Sequence, residues 1–246
     1  MNIGLIFDTL PHLLKALALT AQLTVASVIA GLVIATPLAL LRASSRRTLS
    51  FPVRVYTFMF RGTPLLVQLF LIYYGLSQLE WVRNSFAWPL LRDPFWCALL
   101  AFSLNNAAYT TEILRGGIRA VPVGEIEAAK ALGMSAAQRI RRLVLPVGFR
   151  LALPAYGNEV VLILKASSLA STITLMELTG TSRKIVAQTF APYEIFIAAA
   201  LLYLAVTFLF TSTFSALERR LSRHRHRSAP EHSAIGKMQF SKEQVQ

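Results

Sequence analysis

The sequence predicts an all-α membrane protein of five transmembrane helices, and three observations carry that reading. Of its 246 residues, 54% are hydrophobic and 15% charged, against roughly 45–50% and about 25% in an ordinary soluble domain. The apolar residues gather into five runs, each near the roughly 20 residues of helix that cross a hydrocarbon core. The 25 Lys and Arg, against 12 Asp and Glu for a formal charge of +13, fall almost entirely between those runs. Five spans and their loops leave no room in this length for an ATPase or catalytic domain. The single cysteine, Cys97, cannot form an internal disulfide, and no Cys/His spacing resembles a metal site.

Taken in order, residues 1–16 form an N-terminal segment, amphipathic over Asn2–Leu14 and broken by Pro11. It lacks the basic start and cleavage site of a signal peptide, so it is read as retained. The first span, 17–41, carries Thr20, Gln22, Thr24, Ser27, Gly31 and Thr36 at spacings that let a helix pack closely on a neighbour. A basic loop (Arg42, Arg46, Arg47, Arg54) leads to the second span, 55–76, and the third, 95–111, opens after Pro94 and ends against Arg115 and Arg119. Residues 116–150 are too charged for the bilayer and too long for a turn. The fourth and fifth spans follow at 151–173 and 193–217, and 218–246 is a basic tail of disordered composition.

Orientation comes from the bases. Nineteen of the 25 lie in the loop after span one with Arg61 just beyond it, in 115–150 and in the tail; five lie on the other side (Lys15, Arg83, Arg92, Arg183, Lys184), and Lys165 falls within span four. The side richer in Lys and Arg is cytoplasmic, which puts the N-terminus outside and the C-terminus inside. The positive charge therefore reads as topology and membrane-lipid contact rather than nucleic-acid binding.

The loop 116–150 reads as helix, break, helix. Gly124 precedes an alanine-rich stretch, 125–132; Gly133 can take the positive φ of a C-cap; Ser135 N-caps a second helix, 136–144, which Pro146 ends. The spacing Glu127-Ala128-Ala129, three residues, Gly133, nine residues, Leu143, one residue, Leu145-Pro146 resembles the EAA loop of ATP-binding-cassette importer permeases. In that family the loop inserts into a groove on the ATPase and transmits closure of the nucleotide-binding dimer. The resemblance thus implies a coupling role for Glu127, Ala128, Ala129, Gly133, Leu143, Leu145 and Pro146. Leu143 stands where the family commonly has isoleucine, a conservative change.

The segments Phe60–Gln68, Asn106–Glu112, Val121–Glu125 and Ala152–Tyr156 are similar to the polar amino-acid uptake subfamily. The nearest likeness is to permease subunits of histidine/lysine/arginine/ornithine and octopine or nopaline uptake systems. The resemblance implies an ATP-driven importer for basic amino acids or opines in the bacterial inner membrane, with a second permease subunit, an ATPase dimer and a periplasmic solute-binding protein. ATP and Mg would sit on the ATPase, with no cofactor on this chain.

Polar groups inside the spans are the candidates for a solute pathway, because charges at that depth are costly unless paired or facing water. Arg61-Gly62-Thr63-Pro64 reads as a helix break with Thr63 as N-cap and Pro64 at the first helical position, ahead of Gln68. A half-helix N-terminus there would attract a carboxylate; alternatively the span starts at Thr63 and Arg61 snorkels to the headgroups. Asn105, Tyr109 and Glu112 follow a three-to-four spacing and share one helix face. Span four adds Asn158, Glu159 and Lys165; the last two are about 120° apart around a helix and do not pair within it. These groups either meet solute or bind neighbouring helices or the other subunit. No catalytic grouping or phosphate-binding Gly-rich loop is present, which argues against an enzyme; the alternatives are a permease of the same family for glutamine, glutamate or cystine and, from other classes, a passive channel or an integral membrane enzyme.

Overall fold

A computed structural model describes residues 3–222, and all regular structure among them is helical. The first helix, α1 (Ile3–Ala43), is followed by α2 (Arg47–Gly62) and α3 (Leu65–Phe70), the latter continued by a π turn and a 3₁₀ turn to Gln78. Two four-residue helices, α4 (Glu80–Arg83) and α5 (Trp88–Leu91), precede α6 (Pro94–Arg119). Then come α7 (Val123–Ala131), α8 (Ala136–Arg139), a π turn at Ile140–Val144, and α9 (Leu145–Ala166) with its 3₁₀ extension Ser167–Ile173. The described chain ends with α10 (Leu178–Thr189) and α11 (Pro192–Ser222). Most of the basic tail expected to be disordered lies outside the described residues.

Among the described residues three stretches are long and apolar enough to cross a membrane, Gly4–Ala43, Ala136–Ile173 and Pro192–Leu221; the pair Arg47–Gly62 and Leu65–Gln78, bent by 102°, makes a broken fourth span or a re-entrant loop. Helix α6, with 26 residues, is also long enough at about 1.5 Å per residue, but its buried face carries Ser103, Asn105, Asn106, Thr110 and Thr111.

Contacts between helices fix their relative directions. Gly31 meets Asn106, and Arg42 meets Glu112, so α1 and α6 run parallel. Thr57 meets Glu112 while Gln68 meets Asn105, so the α2–α3 pair runs against α6. Gly148 abuts Ile118 while Glu159 faces Asn106, so α9 also runs against α6. Leu13 clusters with Ile195, and Glu177 joins Thr20 to Tyr203, making α11 parallel to α1. Small residues permit the closest approaches: a Cβ on Gly117 would lie 2.3 Å from Gly148 O.

Four expectations need correction. Pro11 does not break the N-terminal segment; α1 passes through it and through Pro37. Leu13 and Ala16 are buried just beyond Pro11, and that packing outweighs one missing backbone bond. The second span is not one straight helix, because the break at Gly62–Pro64 lies inside it. The third continues to Arg119, eight residues past its expected end at 111. Pro146 opens α9 instead of ending a loop helix: the π turn shifts the bonding, Leu145 N donating to Ile140 O, so the missing Pro146 N–H falls in a first turn where it is tolerated.

Candidate functional site

The projecting loop is built by local rules. Helix α7 ends in a Schellman motif, with Gly133 at φ +74°, Gly133 N donating to Lys130 O and Met134 N donating to Ala129 O. Ser135 then starts α8 with a capping box: its Oγ accepts from Gln138 N, and its N–H donates to Gln138 Oε1. Arg139 Nη1 closes the corner on Met134 O at 2.7 Å. Of the seven residues singled out here, Glu127, Ala128, Gly133 and Pro146 are exposed, Leu143 and Leu145 half-buried and Ala129 buried. Val123 and Leu132, at the two ends of α7, are 68% and 82% exposed.

The second constellation lies at the α2–α3 break. The 102° bend between α2 and α3 leaves backbone carbonyls without helical partners, and side chains answer them. Gln68 Nε2 donates to Phe60 O (2.8 Å) and Thr63 O (3.1 Å), and Asn105 Nδ2 donates to Phe60 O and to Gln68 Oε1. Tyr109 OH donates to Arg61 O, and the Arg61 guanidinium lies 5.2 Å from the Tyr109 ring centroid. Thr63 is not the N-cap expected of it. It closes α2, its hydroxyl donating to Met59 O and accepting from Gln68 Nε2, while Pro64 takes the N-cap position. The structure thus brings Arg61, Thr63, Gln68, Asn105 and Tyr109 together, with the buried Glu159 within the field of Arg61.

The other three candidates lie elsewhere. Glu112, on the α6 face it shares with Asn105 and Tyr109, accepts from Arg42 Nε (2.9 Å), Arg115 Nε and Thr57 Oγ1, and so ties α1 and α2 to the end of α6 that leads into the loop. Asn158 and Lys165 are exposed on α9. Asn158 lines a cleft of about 230 Å³ against α11, beside Thr211, Ser215 and Glu218.

Sequence reasoning missed a third polar knot. Glu177, fully buried, caps α10 by accepting from Thr179 N and Gly180 N, and also accepts from Tyr203 OH and Thr20 Oγ1. The signal was faint, since glutamate is an uncommon N-cap and Thr20 and Tyr203 are far away in sequence.

Membrane-length apolar helices around a polar interior, with a preformed helical hairpin projecting from one end, define a membrane transport component. The chain belongs to the family described as binding-protein-dependent transport system inner membrane component, whose model matches residues 27–223. It is a multi-pass inner-membrane protein. Among its relatives, the octopine transport system permease protein OccM of Rhizobium meliloti is 49% identical over 213 residues, 87% of each chain. The nopaline transport system permease protein NocM of Agrobacterium fabrum is 47% identical, covering 91% of this chain and 93% of its own. The histidine/lysine/arginine/ornithine transport system permease protein HisM of Escherichia coli is 44% identical over 84% of this chain and 87% of its own. A solved structure of an amino acid ABC transporter with histidines superposes with TM-score 0.79 at 34% identity, covering 89% of this chain and 99% of that one.

Proposed function

We propose that this chain is the permease subunit of an ATP-driven importer for basic amino acids or opines. The observation that carries the reading is the agreement of three relatives, 44–49% identical across most of their length, whose names specify octopine, nopaline and basic amino-acid transport. The interior fits such a solute: a buried carboxylate, Glu159, suits a cationic group, and Arg61 beside the α3 start suits a carboxylate. Arg61, Thr63, Gln68, Asn105, Tyr109 and Glu159 are the proposed pathway near the break; Asn158 and Lys165, exposed on α9, extend it toward a second permease subunit, and Glu112 steadies its loop end.

In this reading the chain crosses the membrane five times, with its N-terminus outside and C-terminus in the cytoplasm, as the alternating helix directions and the distribution of Lys and Arg favour. The loop docks on an ATPase dimer through Glu127, Ala128, Ala129, Gly133, Leu143, Leu145 and Pro146. ATP binding closes that dimer, the loop follows, and the helices alternate access; a periplasmic binding protein delivers the solute. ATP and Mg belong to the ATPase.

The test is competition of labelled arginine uptake, in cells carrying the whole system, by histidine, lysine, octopine, glutamate and a sugar. Competition by the basic compounds alone is expected. Competition by glutamate or the sugar, with every basic compound failing, would assign the chain to a different solute class.

A further inference from the structure

On α6, Ser103 Oγ and Asn106 Nδ2 are buried side-chain atoms without a partner among the described residues, and Asn106 lies beside a carboxylate. The side chain is fully buried between α1, α6 and α9. Its Oδ1 accepts from Thr110 Oγ1 at 3.4 Å, and its side chain packs against Gly31, where a Cβ would come within 2.2 Å of Oδ1. Glycine at 31 leaves the amide its place, and Thr110 Oγ1 engages its oxygen. With Oδ1 engaged, Nδ2 is directed toward the Glu159 carboxylate but closes no hydrogen bond of ordinary length, and it is one of the buried side-chain atoms with no partner among the described residues. A buried amide donor without a partner is costly and rare, and here it faces a buried carboxylate. Arg61 reaches Glu159 only through space, from the α2 break.

We propose that Asn106 is a positioning residue for Glu159: locked by Gly31 and Thr110, its amide holds the carboxylate turned toward the guanidinium or ammonium side chain of the solute. The inference rests on the reading of Glu159 as a solute contact.

The experiment is equilibrium dialysis of labelled arginine and of its neutral analogue citrulline against the purified permease–ATPase complex without binding protein. The variants are Asn106→Leu, Gly31→Ala, Thr110→Val, Glu159→Gln and the Asn106→Leu/Glu159→Gln double. Asn106→Leu is expected to raise the arginine Kd about tenfold, the size of one charge-assisted hydrogen bond, while leaving citrulline unchanged. Gly31→Ala should reproduce that selectivity loss, and Thr110→Val, which keeps the packing, should give a smaller one. The double variant should bind like Glu159→Gln alone, because the two residues act as one unit. If Asn106→Leu fails to assemble, Thr110→Val carries the test.

A proportional loss for arginine and citrulline would mark Asn106 as packing and overturn the inference. So would a wild-type arginine-to-citrulline ratio in all three positioning variants beside a lowered ratio in Glu159→Gln; the role of Glu159 would then stand. A wild-type ratio in Glu159→Gln would remove that role and the inference with it.

Discussion

The projecting loop and the buried polar interior are built on opposite plans. In the loop, each constraint is satisfied within a few residues: Gly133 by Lys130, Ser135 by Gln138, Arg139 by Met134. In the interior, Asn105 answers Phe60 and Gln68, Arg42 answers Glu112, and Thr20 answers Glu177, across 37 to 157 residues of chain. The loop is shaped by its own sequence but runs without a break through α8 and the π turn into α9, so a push on it is carried into the bundle, whereas any change in the interior is felt by two or three helices at once. That division suits a machine in which force enters at one place and solute is handled at another.

The contrast predicts different failures. The largest effect is expected from Gly133→Pro: φ fixed near −65° is incompatible with +74° and the Lys130 bond is lost. Membrane abundance should stay normal while ATP-driven uptake falls by at least tenfold, as should happen for Glu127→Arg; normal uptake in both variants would reduce the loop to a connector. Next, Glu112→Gln should lower the thermal stability of the purified complex by about 1–3 kcal/mol, since two arginines lose their shared charged acceptor. Its uptake per surviving complex should stay within about threefold, so a wild-type melting curve would show that the interior knot bears no load.

A topology measurement sharpens the comparison by placing the two regions relative to the membrane. A reporter active only in the cytoplasm should work within 134–142 and after Arg220, and fail near Asn84 or Thr181; signal at Asn84 would overturn the five-span reading. The smallest effect is expected from Leu143→Ile, a half-buried, volume-conserving change that should alter uptake less than twofold.

The same division explains what the sequence could tell. The Gly133 φ, the Ser135 cap, the break near Gly62 and the shared face of Asn105, Tyr109 and Glu112 were all legible, because each depends on near neighbours. Helices α4, α5 and α10 were not read, being short or polar: α10 includes Thr179, Gly180, Thr181, Ser182, Arg183 and Lys184 and is held by its Glu177 cap. Continuity through Pro11 and Pro146 was missed because packing and a π turn override a local breaker. The partners of Glu112, Glu177 and Asn106 come from other helices, and no spacing within one helix announces them.

The central claim is that ATP consumed by a partner drives this chain to move solute against a gradient. The direct measurement is labelled-arginine accumulation in proteoliposomes holding the assembled transporter, with binding protein outside and ATP either enclosed or omitted. Accumulation inside to well above the external concentration, only with enclosed ATP and lost in Gly133→Pro, is the predicted result. Equilibration of arginine at the same rate without ATP would contradict it and make the chain a passive channel.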